Sequence, residues 1–79
     1  MWVYLLESLS SPGRRYVGLT RDLHSRLDDH NAGKSPHTSK YRPWRVVVAV
    51  WFAAEPRARA FETYLESGSG HAFAKRHLW

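Results

Sequence analysis

The stretch Arg14–Asn31, RRYVGLTRDLHSRLDDHN, turns from strand to helix, and the rest of the fold hangs on that turn. Arg15–Leu19 carries aromatic and branched residues and reads as a short strand. A helix follows. Thr20 or Asp22 can cap its free amides. Leu23 and Leu27 supply a buried stripe. Asn31-Ala-Gly33 ends the helix, with Gly33 suited to a left-handed cap. Tyr16, Gly18, Arg26 and His30 stand around this one corner. Arg26 and His30 are four residues apart and share a helix face. Gly18 marks a place where a backbone needs close approach.

Upstream, Trp2–Glu7 reads as a strand, and Ser8–Gly13, with Pro12 and Gly13, has turn chemistry. The two strands can form a hairpin with the hydroxyls of Tyr4 and Tyr16 on one face. Downstream, Lys34–Arg45 reads as a long polar connection holding two prolines. Val46–Ala53 reads as a strand that is apolar on both faces. Pro56 fits the first turn of a second helix, with Ala58, Phe61 and Leu65 facing inward. Ser67-Gly-Ser-Gly70 is expected to break that helix, and His71–Leu78 to form a short third one. The expected fold class is α/β of the α+β type, in the order β-β-α-β-α-α, as a single domain over residues 1–79.

With 79 residues the chain has room for one domain, which buries roughly 60–65% of the surface its unfolded form exposes. It has no cysteine, so neither a disulfide nor a thiolate zinc site can support it. That leans toward the cytoplasm. No apolar run reaches the ~20 residues of a membrane helix. Met1–Leu6 is apolar, but it lacks the basic segment and cleavage site of a signal peptide. The formal net charge is +5, and nine of the twelve basic residues are arginine. Arginine favours bidentate phosphate contacts, so the charge suits a nucleic-acid partner, as against the ordinary high pI of many small soluble proteins.

Each residue of the corner also has an ordinary structural reading. A strand tyrosine is usually half-buried core, Arg26 can pair with Asp22 or Asp29, His30 can pack at a helix end, and Glu62 can be a surface carboxylate. Taken together and in order, however, the chain resembles the GIY-YIG nuclease superfamily. Trp2-Val3-Tyr4 resembles the first half of its signature and Tyr16-Val17-Gly18 the second. Arg26, His30 and Glu62 match its arginine, its next site residue and its metal-binding glutamate. "HNAGKSPHTSKYRPWR" and "YLESGSG" resemble the small, single-domain, YhbQ-like bacterial branch. Three positions depart from the pattern. Trp2 stands for the first glycine, Leu19 stands where some members have lysine, and no asparagine occurs between Glu62 and Trp79.

The resemblance implies a small three-stranded antiparallel sheet flanked by helices, with the first strand in the middle. It implies a metal-dependent endonuclease that hydrolyses phosphodiester bonds in DNA, possibly structured or repair-related DNA, with RNA as the other candidate substrate. Tyr4, Tyr16, Arg26, His30 and Glu62 would form the catalytic set. Arg26 offers a planar, permanently charged fork for phosphate oxygens. Glu62 offers a hard oxygen ligand for one Mg2+, with Mn2+ as a substitute. Magnesium keeps most of its waters and needs only one or two carboxylates plus phosphate. A free tyrosine titrates near ~10 and is a poor base at neutral pH. The resemblance suggests that Tyr16 acts as the base once nearby Arg26 or metal-bound water favours its ionised form, with Tyr4 positioning Tyr16 or the metal's water. His30 is the second candidate proton carrier. Lys34, His37, Lys40, Arg42 and Arg45, interleaved with Tyr41 and Trp44, make a candidate nucleic-acid-binding surface, in which Trp44 either stacks on a base or covers the sheet. Selectivity is then expected from the shape of the site, from a homodimer or from a separate targeting protein. Two other readings stand beside this one: a nucleic-acid-binding module with weak or no turnover, and a protein-interaction scaffold.

Overall fold

The computed structural model describes every residue from Met1 to Trp79. Its elements are β1 (Trp2–Ser8), β2 (Arg15–Thr20), α1 (Leu23–Asn31), β3 (Trp44–Trp51), α2 (Glu55–Leu65) and α3 (Gly68–His77), with a 3₁₀ turn at Ser39–Tyr41. The β-β-α-β-α-α order and the three-stranded antiparallel sheet are as expected. The first strand is the middle one, in the order β2-β1-β3.

Alternation along β1 divides the molecule. Successive strand residues point to opposite faces, and β1 is covered on both. Val3 and Leu5 go to one face, where they meet Ala58 and Leu65 of α2 and Ala74 of α3. Tyr4 and Leu6 go to the other, where they meet Trp44, with Leu23 and Leu27 of α1 and Tyr41 packed around them. Fully burying a Val or Leu side chain contributes about 1.5–3 kcal/mol, so these few residues supply much of the stability of so small a domain.

β3 begins two residues before the expected Val46 and ends at Trp51. It is an edge strand rather than a doubly covered one, and Val46–Val50 are all half-buried. Its unbroken apolar run has a local cause. Leu5 faces Val48 while Leu6 faces Val46, leaving Val47 as the extra residue of a bulge. A bulge interrupts the two-residue period.

The third helix also starts earlier than expected. Ser67-Gly-Ser-Gly70 forms its cap and first turn and is not a loop. The Ser67 hydroxyl accepts from the Gly70 amide at 3.1 Å and donates to the Tyr64 carbonyl at 2.6 Å. A Cβ at Gly70 would collide with the Tyr64 carbonyl, so glycine lets α3 begin against the end of α2. Poor helix propensity in those glycines is overridden by the cap and by this close approach.

The first helix forms as expected. The Asp22 carboxylate accepts from the Ser25 amide at 3.0 Å, and Gly33 has a left-handed φ of 79°. Its end is tied to β3 through Asn31, which accepts from the Trp44 amide at 2.6 Å and donates to the Trp44 carbonyl at 3.1 Å. The connection Lys34–Arg45 is therefore less superficial than its polarity suggests. Ser35, Thr38 and Trp44 within it are buried.

Candidate active site

The register of the hairpin sets the centre of the site. Tyr4 pairs with Gly18, and Leu6 with Tyr16. Both tyrosines thus share the sheet face that α1 covers, with ring centroids 6.3 Å apart. Gly18 is required there, because a Cβ would overlap the Tyr4 hydroxyl and the edge of the Tyr16 ring.

Tyr4 is 1% exposed and His30 is 0% exposed. The Tyr4 Oη and His30 Nε2 are 2.8 Å apart. His30 Nδ1 lies 2.7 Å from Thr38 Oγ1, and the Thr38 hydroxyl donates to the Ser35 carbonyl at 3.5 Å. With that hydrogen committed, Thr38 Oγ1 accepts from His30 Nδ1–H. His30 Nε2 then carries the lone pair and accepts from the Tyr4 hydroxyl. The order of donors runs from Tyr4 to His30 and from His30 to Thr38. Burial and the nearby Arg26 charge push the His30 pKa below its ordinary value, which favours this neutral ring. The Tyr16 ring packs edge-on against His30 with centroids 5.0 Å apart. Its hydroxyl has no hydrogen-bond partner within the fold, and its side chain is half-buried.

Arg26 comes to the same place from α1, one turn before His30. It lies 3.8 Å from Asp29, which also takes Lys34 at 3.6 Å. Its guanidinium lies close enough to the Tyr4 phenol for that group to raise the Arg26 pKa further. Burial pushes the Tyr4 phenol up from its ordinary value. Arg26 opposes that rise, and Tyr16 and Glu62 add to it. Glu62 arrives from α2, which packs against β1 and β2. Its carboxylate has no salt-bridge partner, unlike Glu55, which pairs with Arg21 at 2.7 Å and Arg59 at 3.1 Å. Burial and the neighbouring Glu66 raise the Glu62 pKa, against a smaller opposing pull from Arg59. A half-buried carboxylate in negative surroundings gains from a cation.

The fold thus gathers Tyr4, Tyr16, Arg26 and His30 around one point, with Glu62 near enough to act on Tyr4 electrostatically. No trio of His, Cys, Asp or Glu side chains comes together anywhere in the fold, this centre included; Glu62 is the one carboxylate at this centre that a metal could use. This donor set fits magnesium, which coordinates through few protein oxygens.

The residues expected to form a nucleic-acid surface do not all reach the outside of the fold. Lys34, His37, Lys40, Arg42 and Arg45 are exposed. Lys40 and Arg14 lie over the Tyr41 ring, 5.7 Å and 4.6 Å from its centroid, and Arg45 pairs with Glu7 at 2.9 Å. Trp44 does not belong to this surface. It is 4% exposed, and its indole donates to the Thr38 carbonyl at 2.9 Å, so the ring covers the sheet and offers no face to a base. Nor does His30, sealed from solvent with both nitrogens engaged, stand where a proton carrier needs to be. Thr38 was not singled out by sequence reasoning. A lone threonine in a polar segment gives no signal until the segment folds over α1.

Residues 1–73 match the family model described as the GIY-YIG catalytic domain. The chain is 39% identical, over 96% of its length, to the structure-specific endonuclease subunit SLX1 of Candida dubliniensis, and covers 28% of that protein. It is 35% identical over 96% of its length to the protein of the same name from Scheffersomyces stipitis, covering 24% of it. It is 33% identical to a UPF0213 protein of Streptococcus pneumoniae, over 82% of this chain and 65% of that one. The chain therefore spans about a quarter of the length of these SLX1 relatives. No solved structure gives a significant match.

Proposed function

The chain belongs to the GIY-YIG catalytic-domain family, and on that premise we propose that it is a divalent-metal-dependent endonuclease that cuts DNA at structured or branched sites. The observation that carries this reading is the gathering of Tyr4, Tyr16 and Arg26 around one point, with the unpaired Glu62 near enough to act on the Tyr4 phenol. The names of the SLX1 relatives support structure-specific DNA as the substrate. Because those relatives are named as subunits, a separate targeting protein or a second copy of the chain is the proposed source of selectivity.

The residues divide the work. Glu62 would hold one magnesium ion, or manganese in its place. When bound, the ion supplies Lewis-acid neutralisation of phosphate charge. Arg26 presents its fork to the non-bridging phosphate oxygens and stabilises the charge that builds as the leaving oxygen departs. Tyr16, whose hydroxyl is uncommitted within the fold, would take a proton from the attacking water as the phenolate, after giving its own proton to solvent. Tyr4 is already committed: it donates to His30 and keeps its oxygen toward Arg26. His30 and Thr38 act as positioning residues that hold Tyr4 in one rotamer. Lys34, His37, Lys40, Arg42 and Arg45 supply sequence-tolerant phosphate contacts, which gives binding a steep salt dependence.

The test is a panel of labelled duplex, single-stranded, flap, junction and RNA substrates with Mg2+ or Mn2+. Glu62→Gln should lower cleavage about 100-fold or more, the scale set by losing a charge-stabilising group. DNA binding should persist or tighten, since an anionic group facing the phosphates has gone. A chelator should reproduce the loss in the unmutated protein. A wild-type chain that binds DNA, cuts nothing in the panel with either metal and binds no differently after Glu62→Gln would overturn the nuclease reading.

A further inference from the structure

A groove of about 530 Å³ lies beside the candidate centre, on the other face of β2. That volume falls in the ~300–1,000 Å³ range of small-ligand sites. Its floor is apolar: Val17 of β2, Leu65 of α2 and Ala74 of α3. Trp79 forms one wall, with the Arg15 guanidinium 4.7 Å from its ring centroid. Lys75 and His71 stand on the rim, and Glu66 is the single acid there. Tyr16 lines the groove as well, so one residue belongs to both the groove and the candidate centre. The outer edge of β2 pairs with no strand, and three consecutive residues of it, Arg15 to Val17, border the groove.

We infer that this groove receives one unstacked nucleobase adjacent to the scissile phosphate, stacked on the Trp79 indole. The inference rests on the nuclease reading for its location and deepens it by naming what the site recognises. An apolar floor with an aromatic wall takes the π-face of a base without regard to sequence. Arg15 and Lys75 match the phosphates on either side of that base. Arg15 is exposed and loses little by exchanging the indole for a phosphate, which frees the ring face. Glu66 and the unpaired backbone groups of β2 are positioned for the base's hydrogen-bonding edge. A base in continuous duplex cannot leave its stack without cost, whereas an unpaired base at a fork or flap can. The groove would therefore add, to the selectivity proposed for a partner or second copy, a preference of this chain's own residues for branched over continuous duplex DNA. Extended peptide is the competing occupant for an edge strand. The basic rim and the continuity with Tyr16 favour nucleic acid.

The probe is a forked duplex with 2-aminopurine as the first unpaired base, titrated with the full chain in chelator so that nothing is cut. Stacking should quench the 2-aminopurine. Trp79→Ala should abolish the quenching and weaken fork binding about 5- to 150-fold, the range for one base–aromatic stack. Trp79→Phe should retain most of both. Continuous duplex should show little difference among the three proteins. Since Trp79 also packs against the core, its indole N–H resonance in the unmutated chain, assigned by its absence in Trp79→Phe, provides a second measurement and should shift on adding the fork. If that resonance stays fixed while the Tyr16 amide and Arg26 signals move, the groove is not a base site, and the nuclease reading stands. If the fork is quenched through Trp79 but no substrate is ever cut with either metal, the groove inference survives and the nuclease reading fails. Concentration-dependent shifts of the Tyr16 and Val17 amides without DNA, with no response to the fork, would overturn the base site in favour of strand addition by a second copy.

Discussion

The two faces of β1 are built on opposite principles. On one, Val3 and Leu5 meet Ala58, Leu65 and Ala74 with no buried polar side chain among them. On the other, the same strand sends Tyr4 toward His30 and Thr38, and every buried polar atom finds a partner. The dry face can tolerate exchange of one apolar shape for another of equal volume. The polar face cannot, because each group on it is satisfied only by its neighbour in one geometry. A single strand thus couples a face that supplies stability to a face that supplies orientation. The candidate site sits on the second, the face on which side chains are held in fixed directions.

The sharpest way to break this division is to cut into each face. Leu5→Ala removes buried volume on the dry side and should cost about 2–5 kcal/mol of stability in denaturant unfolding. That is a large share of the 5–15 kcal/mol typical of a native domain. The rate per folded molecule should stay near the wild-type value. If that rate falls along with stability, the two faces are not separable.

Arg26→Ala cuts the other side. It should lower cleavage about 100-fold, or about 2.7 kcal/mol in the barrier, while affinity changes only a few-fold. Arg26→Lys should recover only part of the rate, because a point charge replaces a fork. If melting temperature alone responds, Arg26 is simply the partner of Asp29.

The network itself comes next. Tyr4→Phe leaves His30 Nε2 buried without its donor, and Thr38→Val leaves His30 Nδ1–H without its acceptor. Each should cost about 1–3 kcal/mol, and Thr38→Ser should cost much less. The double variant Tyr4→Phe/Thr38→Val should fall short of the sum, since both changes strand the same ring. Strict additivity would mean that the three side chains do not act as a unit.

Much of this division was legible in the residues. The two-residue period puts Tyr4 and Tyr16 on a common face once the strands pair, and the four-residue spacing puts Arg26 above His30. The caps at Asp22 and Gly33 and the proline start of α2 follow from local chemistry. What was not legible depends on long-range contact. Trp44 sits in a basic, polar segment, and nothing nearby in sequence shows that Asn31 ties its backbone down and that its indole lies over the sheet. Thr38 matters only because that segment closes over His30. Ser67–Gly70 looks like a break until Tyr64 is seen pressed against Gly70. The bulge at Val47 requires knowing the partner strand.

The smallest expected effect is also the most specific to the polar face, and it comes from titrating His30. Burial first, and Arg26 second, lower its pKa in the folded state, with Asp29 pulling weakly the other way. Unfolded, the ring titrates near ~6.5. Between those two values the unfolded chain binds more protons than the folded one, so stability rises with pH. The contribution is fully present above about 6.5 and is lost as pH falls through the folded pKa. Glu62 has the opposite sign. Its folded pKa is raised, so its charged form destabilises the fold as pH climbs from about 4.3, the unfolded value, through the folded one. Glu55, held low chiefly by Arg21, adds a positive slope only at lower pH, in the ordinary carboxylate range. The upper end of the acid limb, just below about pH 6.5, therefore belongs to His30 more than to either carboxylate. Unfolding free energy measured against pH should rise there in the wild type and in Glu62→Gln, and flatten in His30→Gln. A His30→Gln variant that keeps the wild-type slope would mean that the ring is not held neutral between Tyr4 and Thr38, and both of its nitrogens would then have to donate.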